Sequence, residues 1–365
     1  VTHPLGVLVP EVGVLSETFV QWDCNQLLPG RTVVVADPPP AGETVLDGPS
    51  WTADGPVLHL APEAGDPPPS IGQQAAVERF LQTHGVRVLL VQYLDLADRW
   101  FDLLQRLPVP VWVRGHGADL SARLDTRYSR LAALAGVMVP THAARDRLVP
   151  HLLPQHLVHV VANHVAIPDP APPRPAGATV ECLTVGRLVP KKGHAGLLHA
   201  FAAAHTRDPR LRLDIIGEGP LRTTLEALVA GLDLAHNVRL LGARPPRETL
   251  ARTARADIYL QPSVTGPDGD DEGQPLALLQ AMAAARACIV TRHAGVTETL
   301  TDQQSALLVD GDAAAPLTAA ITALAADPTA RHRLGLAARH VAVNHHSHTA
   351  AREQLLHMLK PEAAP

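Results

Sequence analysis

Three cations crowd one short segment, "VGRLVPKKGHAGLLHAF": Arg187, Lys191 and Lys192, with Gly193 directly after them. A helix pattern starts at that glycine. Backbone amides, the positive end of a helix dipole and fixed charges would then converge, which is how proteins hold phosphate. A solvated basic turn is the plain alternative. The glycines match neither the dinucleotide fingerprint nor the P-loop spacing. Downstream, "IIGEGPLRTTLEAL" brackets Glu218 with Gly217 and Gly219. Such glycines admit a flat ligand close to the backbone, or simply serve a turn that needs positive φ.

A third segment, "PSVTGPDGDDEGQPLALLQAMA", carries Asp268, Asp270, Asp271 and Glu272 ahead of an apolar helical run. Counted from Asp268 as a calcium loop, Gly273 is sixth but Leu279 stands where the twelfth-position carboxylate belongs, so an EF-hand is excluded. Asp268 and Asp270 remain a conceivable metal pair. Glu272 sits at the mouth of a helix beginning near Pro275, and Gln280 follows just over two helical turns later. Two hydrogen-bonding groups so placed suit a ligand with adjacent hydroxyls. Taken alone, Gln280 is a solvent-facing helix residue. Asp268, Asp270 and Asp271 are expected to be a solvated lead-in.

The elements that must hold these residues repeat along the chain. Strands are expected at 5–10, 32–37, 57–62, 86–92, 109–114, 136–141 and 157–163. A second set is expected at 181–186, 211–217, 238–242, 257–262, 287–292 and 305–310. Most are continuous apolar runs, the pattern of parallel strands covered on both faces. Helical stretches separate most of them, at 70–84 and 142–150, then at 193–206, 219–231, 275–285, 313–326, 329–343 and 349–360. Between the two sets lies "IPDPAPPRPAGA", whose prolines resist helix and central strand and predict a linker. The division reads as an N-terminal domain over 1–166, a linker over 167–178, a C-terminal domain over 179–344 and a terminal helix over 345–365 that returns to the first domain. Strands alternating with helices imply an α/β class with two Rossmann-like, doubly wound domains. Facing across a cleft, such domains bind ligands beyond the carboxyl ends of their strands.

The chain's 365 residues suit two domains, and 18% charged residues with 46% hydrophobic ones make it globular. A net charge of −5 argues against a nucleic-acid binder. Cys24, Cys182 and Cys288 are far apart and lie in or beside apolar runs, so buried thiols are expected, not disulfides. No basic region precedes the first apolar run and no stretch approaches the ~18 residues of a membrane span. A cytoplasmic protein, or one peripheral at the inner membrane, is expected.

"SETFV" (16–20), "RGHGADLSARL" (114–124), "LTVGRLVPKKG" (183–193), "IIGEGPLRTTL" (215–225), "QPSVTGPDGDDEGQPLALLQAMA" (261–283), "IVTRHAGVTETL" (289–300) and "SALLVDGD" (305–312) occur in this order. Together they resemble a retaining, GT-B-fold glycosyltransferase of family 4, the group 1 type, over nearly the whole chain. The resemblance implies transfer of a sugar from a UDP- or GDP-linked donor to a hydroxyl on a small-molecule or glycan acceptor. No metal and no other cofactor would be needed. Arg187 and Lys192 would neutralise the donor diphosphate as charge builds on it. Glu272 would contact the donor sugar, with Gly273, Gln274, Pro275 and Leu276 following in the loop that faces sugar and phosphate. His116 would stand near the reaction centre, with Asp119 and Glu17 on the acceptor side. Gly13 would let the first loop approach the phosphates, and Gly217, Glu218, Gly219 and Leu221 would flank the base. Gln280 takes the place of the family's ribose-binding glutamate, at a cost of about 1–2 kcal/mol of donor binding.

Other departures suggest a specialised member. His164 replaces the glycine of a usual Asn-Gly turn, a position that prefers tolerance of unusual φ. "AAARACIVT" lacks the common glycine-proline turn before its strand. Antibiotic or other secondary-metabolite biosynthesis and surface-polysaccharide biosynthesis are the expected settings. A nucleotide-sugar 2-epimerase of the same fold and an inactive nucleotide-binding homologue are the alternatives.

Overall fold

The structure is a computed structural model that describes residues 3–14, 18–37, 51–61, 68–121, 124–149, 152–173, 177–311 and 314–360. Glu17, expected on the acceptor side, lies outside the described residues. The chain divides into two compact units. Unit 1 holds the residues up to Ala162 and those from Ala351 onward; unit 2 runs from Asn163 to Ala350.

Unit 1 is built on seven strands: β1 (Leu5–Val9), β2 (Thr32–Ala36), β3 (Val57–His59), β4 (Val88–Gln92), β5 (Val111–Arg114), β6 (Gly136–Val139) and β7 (Val158–Val160). They form one parallel sheet in the order β3-β2-β1-β4-β5-β6-β7. The apolar runs become strands because helices cover both faces, so every residue of β1, β2, β4 and β6 is buried. The helix His348–Leu359 closes this unit: Arg352 Nε donates to the Leu27 carbonyl at 3.1 Å and Gln354 Nε2 to that of Val160 at 2.9 Å.

Unit 2 repeats the plan with β8 (Val180–Val185), β9 (Leu211–Ile216), β10 (Val238–Gly242), β11 (Ile258–Gln261), β12 (Ala287–Thr291) and β13 (Leu307–Val309). Their order, β10-β9-β8-β11-β12-β13, is again parallel throughout. In both units the strand order reverses beside the first strand, at β1/β4 and at β8/β11. Such switch points open a crevice at the strands' carboxyl ends.

The proline-rich stretch is anchored, not a free tether. Arg286, only 1% exposed, sends Nη2 to the Pro172 carbonyl at 2.7 Å, Nε to that of Ala284 at 2.7 Å and Nη1 to that of Ala256 at 3.3 Å. This arginine stands in the turn that lacks glycine-proline. Its neighbour Ala285 holds the glycine conformation regardless, at φ 58° just past the helix Leu276–Ala283. An L-residue is strained there, so Ala285→Gly is expected to stabilise the chain by about 0.5–1 kcal/mol, read as a higher urea midpoint. An unchanged or lower midpoint would refute the strain. His164, by contrast, is not among the positive-φ residues, so the unusual backbone expected there is absent.

Candidate active site

The cations, glycines and carboxylates singled out in unit 2 all lie in loops after β8, β9 and β11. Gly186 directly follows β8, and a Cβ on it would stand 3.1 Å from Lys192 Cδ. The Leu188 amide donates to the Glu218 carbonyl at 2.8 Å, and the Leu221 amide to the Leu188 carbonyl at 3.0 Å. The first two loops are therefore laced together. A Cβ on Gly217 would lie 1.9 Å from the Gly186 carbonyl oxygen, so this glycine is required by the neighbouring loop itself. Gly219 likewise abuts Leu188. Loop packing by itself requires glycine at both positions. Glu218 is half-buried and paired with Arg222.

The third loop supplies the carboxylates. Lys192 Nζ lies 2.8 Å from Glu272 Oε1, and Lys191 Nζ lies 3.7 Å from the same oxygen. Lys191 also pairs with Asp270 Oδ2 at 2.7 Å and donates to the Asp271 carbonyl at 3.3 Å. Asp270 is thus a half-buried ion-pair partner, not part of a solvated lead-in, because loop 266–272 folds back onto the lysines. The Gly266 amide, donating to the Asp270 carbonyl at 2.7 Å, closes that fold. Asp268 Oδ1 accepts from the Asp270 amide at 3.1 Å. Among the described residues no group of three or more His, Cys, Asp or Glu could hold a metal ion. Of the three cations singled out in the sequence, Lys191 is buried and committed to these carboxylate contacts, whereas Arg187 is exposed.

Burial alone would push the Glu272 carboxyl up, but Lys192 and then Lys191 more than offset it and hold it below its ordinary value. His194, next in sequence after Gly193, is pushed down to about 4 by burial and then by the charge of Lys192. Burial also lowers His348 to about 4. Both folded values lie below the ordinary 6.5, so the unfolded chain binds more protons between the two. Stability should therefore fall as pH drops from about 6.5 towards 4. Urea midpoints across that window check this, and His194→Asn should flatten the slope. A slope unchanged in the variant would exclude His194.

Two helices point their N-termini at these loops without side-chain caps. The helix His194–Arg207 begins at Gly193, and Leu276–Ala283 begins at Pro275. Elsewhere Ser70, Thr141 and Asp327 cap their helices. Uncapped first-turn amides are free for an anion. The Gln274 side chain is committed within unit 2: its Oε1 accepts from the Asn163 amide at 2.6 Å, and its Nε2 donates to Thr299 Oγ1 at 3.1 Å. Its side chain braces the start of unit 2. Gly273 packs against Gly295, and Pro275 is buried, while Leu276 packs partly buried on the core. Gln280 is half-buried and makes no side-chain hydrogen bond among the described residues.

Unit 1 carries a second polar cluster, after β4 and β5. His116 is buried, its ring 4.3 Å from that of Phe19 and 5.0 Å from that of Tyr93. Its Nε2 lies 2.8 Å from Gln92 Oε1. Gln92 Nε2 donates to Asp23 Oδ2 at 2.8 Å, and Arg114 Nη1 meets the same carboxylate oxygen at 2.8 Å. Burial, then the Arg114 charge, holds the His116 imidazole well below its ordinary value. Asp119, expected on the acceptor side, is fully buried; it accepts from the backbone amides of His116 at 2.8 Å and Leu94 at 2.9 Å. It clamps two loops and is not presented to solvent. Tyr93 holds φ 77°, a strained value for a tyrosine, and strain of this kind gathers at functional sites. Gly13, after β1, has φ 100°, which glycine alone adopts readily. Asp23, Gln92 and Arg114 were missed by the sequence reading. A glutamine closing the apolar strand VLLVQ was the visible sign. Cys24, Cys182 and Cys288 are buried thiols that form no disulfide among the described residues, as expected, and burial pushes the Cys288 thiol up to about 12.

Comparison with known proteins bears on the fold and on the likeness of unit 2. Residues 173–341 match the family model for glycosyl transferases group 1. The amylovoran biosynthesis glycosyltransferase AmsK of Erwinia amylovora is 31% identical over 210 residues, covering 55% of this chain and 51% of that protein. The GDP-mannose-dependent alpha-(1-6)-phosphatidylinositol monomannoside mannosyltransferase of Mycolicibacterium smegmatis is 34% identical over 166 residues, covering 45% of this chain and 43% of that protein. The chain spans about half the length of the curated relatives it matches. Among solved structures, Anabaena HepE in complex with UDP and glucose superposes with a TM-score of 0.77 at 15% identity, covering 98% of this chain and 99% of that one. The sucrose-phosphate synthase of Thermosynechococcus elongatus superposes with a TM-score of 0.76 at 17% identity, covering 98% of each chain. The chain therefore has the GT-B fold of two parallel-sheet, Rossmann-like units, and its residues 173–341 match the glycosyl transferases group 1 model.

Proposed function

We propose that this chain is a retaining glycosyltransferase of the family 4 type, moving a sugar from a nucleotide-sugar donor to a hydroxyl acceptor without a metal ion. One observation carries the reading. At the switch point of the unit 2 sheet, two uncapped helix N-termini, Arg187 and the Lys192–Glu272 pair meet in loops after β8 and β11. In this reading Arg187, Lys192 and the helix amides hold the donor diphosphate. The departing phosphate gathers negative charge as the sugar bond breaks, and prepositioned cations stabilise that state most. Glu272 holds the sugar, and Lys192 keeps it ionised for that task. His116 serves the sugar from unit 1. The acceptor hydroxyl attacks on the face that the diphosphate leaves, through an oxocarbenium-like state, and gives its proton to the departing phosphate. Positioning and charge supply the rate.

The relatives named for amylovoran and for phosphatidylinositol mannoside synthesis favour a cell-surface glycan or glycolipid acceptor over a secondary metabolite. Both UDP and GDP donors fit, since HepE was solved with UDP and the Mycolicibacterium relative is named for GDP-mannose. No helix among the described residues is long and apolar enough to cross a membrane, and action at the cytoplasmic face fits this. Incubation with UDP- and GDP-sugars and a lipid-linked or oligosaccharide acceptor tests the reading. Release of nucleoside diphosphate with a glycosylated product of retained anomeric configuration is expected, and excess chelator should leave the rate unchanged. An epimerised donor, an inverted product or strict dependence on magnesium would contradict it.

A further inference from the structure

In unit 1, we infer that Asp23 and Gln92 are positioning residues that fix the tautomer of His116: the proton sits on Nε2, and Nδ1 is left as an acceptor for a ligand hydroxyl. This deepens the glycosyltransferase reading and rests on it for the identity of the ligand. The argument starts from the one group whose charge is fixed. Arg114 keeps its proton and offers only donors. Its Nη1 lies 2.8 and 3.2 Å from the two oxygens of Asp23, which is 0% exposed, so Asp23 is the carboxylate partner of a buried ion pair and only accepts. The Gln92 group 2.8 Å from Asp23 Oδ2 must then be its NH2. That leaves the Gln92 carbonyl oxygen facing His116 Nε2 at 2.8 Å, and a carbonyl oxygen only accepts. Nε2 must donate. Every link follows from the one before, so the charge of Arg114 decides an atom three side chains away.

Packing and the Gln92 bond both hold the ring in this orientation. The rings of Phe19 and Tyr93 pack against it, with centroids 4.3 and 5.0 Å away, and Asp119 pins the His116 amide at 2.8 Å. Nδ1 makes no hydrogen bond among the described residues. A neutral imidazole with Nε2 protonated presents a lone pair at Nδ1, suited to a hydroxyl of a sugar and unsuited to a phosphate oxygen.

The test reads the tautomer directly and needs no substrate. In the full chain with 15N-labelled histidine, long-range 1H–15N correlation shows which ring nitrogen bears the proton, with His116 identified by its loss in His116→Gln. The expected result is a protonated Nε2 and a bare Nδ1. Gln92→Met, which removes the acceptor, should mix the two tautomers. It should also cut kcat/KM about tenfold where wild-type turnover is seen. Gln92→Glu, protonated beside Asp23, can still donate to that carboxylate and accept from Nε2; it should retain the wild-type tautomer. A wild-type spectrum with the proton on Nδ1 overturns the inference by itself, even if a variant fails to fold. A Gln92→Met spectrum identical to wild type also overturns it. A wild-type chain with the expected tautomer and no transferase activity would sink the proposed function and leave the tautomer relay standing.

Discussion

Lys192→Ala should lower turnover by about two to three orders of magnitude, with a smaller change in KM. Loss of one preorganised charge-stabilising group typically costs about that much. Two effects add here. In the proposed reaction the developing charge on the diphosphate loses an ammonium, and Glu272 loses a partner at 2.8 Å. Lys191 does not replace it, because it is 3.7 Å from Glu272 and held 2.7 Å from Asp270. Arg187→Ala should share the turnover loss without disturbing Glu272, since Arg187 is exposed and outside that ion-pair network. Steady-state kinetics with saturating acceptor separate kcat from KM. Full activity in both variants would remove these residues from the chemistry.

Asp23→Ala should cost about 3–5 kcal/mol of stability, the usual price of stripping one member from a buried ion pair. Arg114 is only 1% exposed and, among the described residues, its Nη1 is held by Asp23, so the variant leaves a guanidinium charge inside unit 1. Burial itself pushes the Asp23 carboxyl up, opposed by Arg114 and Gln92, which marks the pair as costly to bury and costlier to break. Replacing both residues, as Asp23→Leu with Arg114→Met, should recover much of the loss. Urea unfolding measures each variant. A single variant as stable as wild type would show that Arg114 finds other partners.

Much of the fold could be read from the sequence because parallel strands covered on both faces are written as unbroken apolar runs. The thirteen expected strands correspond to β1 through β13 with ends shifted by a few residues. The helix Pro246–Arg255 went unread. Its sequence, PRETLARTAR, is mostly polar, and its stability comes from packing and i,i+4 pairs such as Arg252–Glu248. At the candidate site, local signals were legible: glycines, a lysine doublet and a carboxylate before a helix. Long-range pairings were not. Nothing near Asp23 in sequence announces Arg114 or Gln92, and only the β1/β4/β5 neighbourhood brings them together. For the same reason the bonds of Asp270 to Lys191 and of Gln274 to Asn163 came from the fold, not the motif.

The central claim is that the loops after β8 and β11 bind the diphosphate of a nucleotide donor. Calorimetric titration of UDP and GDP into the wild-type chain and into Lys192→Ala tests it most directly, with chelator present. One of the two nucleotides should bind the wild type, and Lys192→Ala should weaken it about tenfold or more, as loss of a charge-assisted contact worth roughly 1.5–3 kcal/mol requires. Equal affinity in the two proteins, or no binding of either nucleotide, would contradict the account.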